Sequence, residues 1–380
     1  MHKSQIRCTV GWLCCLLVLI LNSAISASGQ SKSIQMVDAD ATAETRALYV
    51  NLLKVAPDAL LFGQQEPTYT GRDFKDRTGL EDRADVHDVT GSYPAVYGWD
   101  FNSGITAFET HVKRAYERGG INTYSWHMFN PVTGKNFYDT TPAVSAILPD
   151  GDKHEVYKQQ LDHIAGYFNN LKDDMGRHIP IIFRPFHENT GSWFWWGAKH
   201  CTPDEYKALW RFTVEYLRDV KQVHNLLWAY SPSKPTQQSE GYLVRYPGDV
   251  WVDIIGADHY RPLNKDSWPE ALLLDARLLV RLAEKRGKVA AITEAGISKG
   301  LANANSDDVF TQKILEPIKN DPVAKHLAYF MTWRNQNRNS NDKYWIPVEG
   351  DSLLPDFIKF HADPFMLFED NIPDMYRMPK

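Results

Sequence analysis

Two glutamates, Glu188 in FRPFHENTGSWFWWG and Glu294 in AAITEAG, each follow directly on an apolar, strand-like run. A lone glutamate is usually a solvated surface group. These two sit in different company, Glu188 between Arg184 and His187 on one side and Trp193 to Trp196 on the other. Paired carboxylates at separate strand ends suit glycoside hydrolysis, in which one acid protonates the departing sugar oxygen and the other attacks the anomeric carbon. That chemistry needs two carboxyls of different pKa. Apolar walls and negative neighbours raise the acid, while donors and positive charge keep the nucleophile ionised, a service Arg184 is placed to give.

Other chemistries lack their residues. His187 and Glu188 start an HExxH-like pattern, but position 191 is glycine, so the zinc motif fails and no catalytic metal is expected. There is no GxSxG for a serine nucleophile and no glycine-rich phosphate loop after a strand. With 12 Trp, 18 Tyr and 17 Phe the chain is rich in flat surfaces, which stack on the C–H faces of sugar rings without needing charge. Alternation along an extended segment would turn Trp193 and Trp195 to one side and Phe194 and Trp196 to the other, one pair into the protein and one into a groove. Trp126, Tyr260 and Trp333 gain weight from their places at strand ends.

These residues need a frame that brings positions far apart in sequence together. Eight apolar runs begin at Ala59, Ala95, Ile121, Ile179, Asn225, Val252, Lys288 and Leu327, with amphipathic stretches between them such as those from His154, Thr202 and Trp268. Thr202 ahead of Pro203 and Asp204 reads as an N-cap. Eight strands alternating with helices predict an α/β fold of the (β/α)8 TIM-barrel type, with an open doubly wound sheet as the alternative. Each run ends in polar or aromatic residues, among them Asp100, His127, Glu188, Asp258, Glu294, Trp333 and Arg334. In a barrel those ends ring one mouth.

The first residues carry Lys3 and Arg7, then an uncharged apolar stretch from about Val10 to Leu21, then small residues, the pattern of a secretory signal over 1–28. The stretch is short for a membrane span of about 20 residues, and Cys14 and Cys15 lie inside it rather than at its end, which argues against lipidation. Removing 1–28 leaves Cys201 alone, so no internal disulfide is available and the core must stabilise the exported chain. It also takes the net charge from −5 to −7, a surface that does not attract nucleic acid. Residues 29–380 are expected to form one catalytic domain, secreted or periplasmic, with no stable membrane insertion.

Taken together, RPFHE, the WFWWG run, DHY, TEAG and TWR resemble glycoside hydrolase family 26, whose best-known members are secreted β-1,4-mannanases of the retaining (β/α)8 clan. The resemblance covers nearly all of the chain beyond residue 28. It implies Glu188 as acid/base and Glu294 as nucleophile, with the carboxyls about 5–5.5 Å apart. It implies further that His187 contacts the sugar beside the acid and that Arg184 and Tyr260 orient the nucleophile. His127, Trp193, Asp258, Trp333 and Arg334 look like subsite residues near the cleaved bond. Asn189 and Thr190 depart from the Met and Asn found in many mannanases. The expected protein is a monomer without cofactor that acts on β-mannan or manno-oligosaccharides. Xylan or mixed-linkage β-glucan as substrate, and a glycan-binding protein without turnover, are the alternatives.

Overall fold

All eight apolar runs form parallel strands: β1 (Leu60–Gln65), β2 (Val96–Asp100), β3 (Ile121–Trp126), β4 (Ile181–Pro185), β5 (Leu226–Tyr230), β6 (Ile254–Arg261), β7 (Val289–Ile297) and β8 (Tyr329–Thr332). The computed structural model describes residues 35–236, 241–262, 267–339 and 343–379, so the leader read over 1–28 and the first residues of the expected domain lie outside it. Each strand pairs with the next, and β1 pairs with both β2 and β8, which closes the ring and rules out the open sheet. A two-residue strand that the sequence reading did not anticipate, β9 (Met366–Leu367), pairs with β1 at Leu60 and Leu61 outside that ring.

Alternation along the strands divides the core in two. Leu61, Ile121, Ile182, Leu227, Ile254 and Val289 belong to one buried cluster, whereas their neighbours Leu60, Ile181, Phe183, Leu226, Ile255 and Ala290 pack in the other. The first set fills the barrel and the second faces the surrounding helices. Helix Ala43–Val55 adds Leu48, Tyr49 and Leu52 to the interior set and contacts β5 and β7. A helix so placed stoppers the N-terminal mouth, and the mouth ringed by strand C-termini is left for chemistry.

Helices cover the three stretches read as amphipathic, at His154–Asn170, Pro203–Glu215 and Trp268–Arg286. Thr202 caps the second of them. Its hydroxyl accepts from the Glu205 N–H at 3.2 Å while the Glu205 carboxylate accepts from the Thr202 N–H at 2.8 Å, a reciprocal box that satisfies two of the free donors at the helix start. The third ends at Gly287, whose φ of +66° suits a residue without Cβ. Among the described residues no helix is long and apolar enough to cross a membrane.

Candidate active site

Glu294 faces the barrel axis because β7 contains one residue too many. In register, Ile254 meets Val289, Gly256 meets Ala291 and Ala257 meets Ile292, but Asp258 meets Glu294. Thr293 is the extra residue. With Thr293 in a regular pleat, strict alternation from Ala291 would send Glu294 outward into the helices; the bulge puts it on the inner face beside Asp258. Thr293 also donates its hydroxyl to Asp258 Oδ1 at 2.8 Å.

Each oxygen of Glu294 is gripped. Arg184 Nη2 donates to Oε2 at 2.7 Å, and the Tyr260 hydroxyl, two residues along β6 from Asp258, donates to Oε1 at 2.7 Å. Arg184 is itself almost wholly buried. Its Nη1 donates to Asp258 Oδ2 at 2.7 Å and to Ser231 Oγ at 3.3 Å. Burial opposes its charge, but Asp258 and Glu294 outweigh that and hold the guanidinium firmly cationic. His187, Asp258 and Glu294 bring ligand-type atoms within 4.8 Å of one another. Both carboxylates already share Arg184, so the positive charge at the centre of this group is a guanidinium.

Glu188 arrives by a different device. After β4 the chain turns sharply through Phe186 and Glu188, at φ +50° and +53°, conformations costing roughly 1–3 kcal/mol each for residues with a Cβ. Fixed bonds hold the turn: Glu188 N–H donates to Ser231 O at 2.7 Å and the Tyr206 hydroxyl donates to Phe186 O at 3.0 Å. Burial first, and the negative charge of Glu294 second, push the Glu188 carboxyl up to about 7. Trp193 Nε1 donates to Glu188 Oε2 at 2.7 Å and pulls the other way. Gly191, the residue that breaks the zinc motif, makes this bond possible, since a Cβ there would lie 2.3 Å from the Trp193 ring.

The remaining expected residues line the same mouth. His187 stands edge to face with His127, ring centres 4.5 Å apart, and burial, with His127 and Arg184 behind it, holds its pKa well below the usual value. His187 is therefore a neutral imidazole. His127 Nδ1 bonds Asp100 Oδ2 at 2.6 Å, and its ring lies 6.3 Å from that of Trp333. Arg334 pairs with the buried Glu66.

The aromatic run differs from its expected alternation. Phe194, Trp195 and Trp196 are buried, and only Trp193, 39 % exposed, opens to solvent. The segment winds through successive turns instead of extending, so neighbours do not alternate between two faces. Trp195 Nε1 donates to Met128 O at 3.0 Å and Trp196 Nε1 to His187 O at 2.8 Å; both anchor the loop. Trp126 is likewise buried, packed by Tyr157 and Phe186 outside the barrel, because its partner in register, Pro185, is on the outer face. Asn189 and Thr190 hold the turn through Tyr206 and Ser233 rather than opening onto the cleft. The sequence reading missed Glu66 as the anchor of Arg334, and took Asp100 only as a polar strand end. Extending the search one residue past β1 would have reached Glu66.

The Trp193 contact makes a prediction. Trp193→Phe removes the N–H that favours the Glu188 carboxylate, so the alkaline limb of the kcat/KM profile should move above the wild-type limb near pH 7. A limb that stays put would show that the indole does not tune this acid.

Comparison with known proteins gives concordant matches. The profile of Glycosyl hydrolase family 26 matches residues 37–344. A mannan endo-1,4-beta-mannosidase of Bifidobacterium adolescentis is 39 % identical over 342 residues, which are 82 % of this chain and 33 % of that protein. The chain thus spans about a third of the length of that relative. Among solved structures, a modular endo-beta-1,4-mannanase from Cellulomonas fimi aligns with a TM-score of 0.84 at 41 % identity, covering 90 % of this chain and 79 % of that one. A GH26 beta-mannanase from Bacteroides ovatus aligns with a TM-score of 0.81 at 34 % identity, covering 89 % and 98 %.

Proposed function

Because the chain belongs to glycosyl hydrolase family 26, we propose that it is an exported mannan endo-1,4-β-mannosidase that cleaves mannan, glucomannan or galactomannan with retention. Glu294 attacks the anomeric carbon while Glu188 gives its proton to the glycosidic oxygen, and the C–O bond breaks to leave a mannosyl ester on Glu294. Water then attacks the same carbon, Glu188 takes up the proton, and the ester is released. One observation carries this reading: Glu188 is pushed up to about 7 by burial and by Glu294, while Glu294 accepts from both Arg184 and Tyr260. A carboxyl able to hold a proton and a carboxylate gripped by donors, each within the other's field, are the two halves of a double displacement.

Nothing in the reaction calls for a metal or organic cofactor, and we take the active form to be a monomer. The names of the relatives support mannan as substrate, and the apolar leader supports export. The test is a panel of locust bean gum, linear mannan, xylan and mixed-linkage β-glucan, with reducing ends counted over time. Mannans should be hydrolysed fastest, with mixed oligosaccharide lengths appearing early. Fastest release from xylan or glucan would overturn the substrate, and retention on mannan gel without release would make the chain a binding protein. Proton NMR of the first product should show the β-anomer; the α-anomer would overturn retention.

A further inference from the structure

His127 and His187 sit 4.5 Å apart in one cleft, yet their surroundings are opposite. His187 is 2 % exposed, its Nδ1 has no partner among the described residues, and Arg184 lies close by. His127 has a dedicated anion. Asp100, at the end of β2, places Oδ2 2.6 Å from His127 Nδ1, and the same oxygen accepts from the Ser125 hydroxyl at 2.6 Å. Asp100 Oδ1 accepts from the Asn102 N–H at 2.7 Å and from the His127 N–H at 3.4 Å. Asp100 is only 3 % exposed and its oxygens are spent on this one ring and its supports. Burial alone would raise such an acid; His127 and then Ser125 bring it down to about 2.

The ring is thus fixed at Nδ1, and among the described residues Nε2 makes no protein hydrogen bond. Every charged or titratable neighbour bears on its state. Asp100 faces it from β2, Glu66 from the end of β1 with Arg334 paired to it, His187 and Glu188 from the end of β4, and Glu294 from β7. Carboxylates predominate in that set. Burial works against the charge of His127, and Asp100, followed by Glu294 and Glu188, overcomes it and raises its pKa.

We propose that Asp100 is a positioning residue that holds His127 as an imidazolium with its Nε2–H aimed into the cleft, where it donates to a hydroxyl of the sugar beside the cleaved bond. This deepens the glycosidase reading and rests on it for the identity of the ligand. The neutral His187 and the cationic His127 then divide the work of one recognition surface. A neutral ring bound to Asp100 through Nδ1–H would present a lone pair at Nε2, so the charge decides whether this atom gives or receives a hydrogen bond.

The test reads the proton itself. In protein labelled with 15N-histidine, nitrogen–proton correlation spectra follow each of the 13 histidines through pH, and loss of one signal in His127→Gln assigns His127. In wild-type protein His127 should titrate above the ordinary value of about 6.5. In Asp100→Asn its midpoint should fall by at least one pH unit, kcat/KM on manno-oligosaccharides should drop about tenfold or more with KM carrying most of the loss, and Asp100→Glu should recover part of both. A wild-type midpoint at or below 6.5 overturns the proposal even where Asp100→Asn does not fold. So does an Asp100→Asn protein whose His127 midpoint has not moved, whatever its activity. The midpoint needs no substrate, so a chain that hydrolyses no glycan but keeps a raised His127 sinks the proposed function and leaves the pair standing.

Discussion

Glu294→Ala should lower kcat on mannan by about 10³-fold or more, and sodium azide should restore part of it, yielding a mannosyl azide of α configuration. Removing a residue that forms the covalent bond costs far more than removing a binding contact. Azide fits the space vacated by the carboxylate and attacks from the same face, without a second displacement to reverse the outcome. Glu294→Gln retains the volume and an acceptor for Arg184 or Tyr260, so it should be as inactive as the alanine variant but closer to wild type in Tm. The alanine variant leaves Arg184 with Asp258 as its one remaining carboxylate partner among the described residues, and breaking part of a buried ion pair destabilises. Near-normal turnover in either variant would remove Glu294 from the reaction.

The second large effect belongs to Glu188. In the proposed role of general acid it must be protonated in the free enzyme, so kcat/KM should fall as pH rises through about 7. Glu188→Gln should cost about 10²–10⁴-fold on mannan. It should cost far less in the first step with a dinitrophenyl mannoside, whose leaving group needs no proton, and the glycosyl-enzyme should then accumulate as a burst. Stability follows from the same shift. Glu188 binds its proton more tightly folded, near 7, than at its ordinary value of 4.5, so the stability it contributes is full below about 4.5 and is lost as pH rises to about 7. Glutamine escapes that loss. Thermal scans should therefore show Glu188→Gln gaining Tm on wild type between pH 4 and pH 8; equal offsets at both would mean Glu188 titrates as an ordinary surface acid.

Much of this was legible in the sequence because it follows from composition over short windows. The eight strands announce themselves as apolar runs, and Glu188 and Glu294 stand out because acids seldom follow such runs directly. Thr202 was readable as a cap for the same reason, its partners lying within four residues. What sequence cannot display is set by a neighbour in space. The fate of Trp195 and Trp196 depended on whether the loop extends or coils, and their indole N–H groups find Met128 and His187 only after it coils. Glu66 looks like any acid after a strand until β8 brings Arg334 beside it. The positive φ angles of Phe186 and Glu188 are stranger still, since neither residue type favours them and bonds to partners distant in sequence, Tyr206 and Ser231 among them, keep them.

Thr293 has a consequence for how this sequence tolerates change. The direction of Glu294 is fixed by a miscount between adjacent strands, so the site depends on where the surplus residue is absorbed as well as on which side chains surround it. A regular strand that kept Thr293 in strict alternation would turn the carboxylate toward the helices, leaving a sound scaffold with that acid out of the cleft. Anyone borrowing this scaffold for another substrate must copy the flaw as faithfully as the acid it aims.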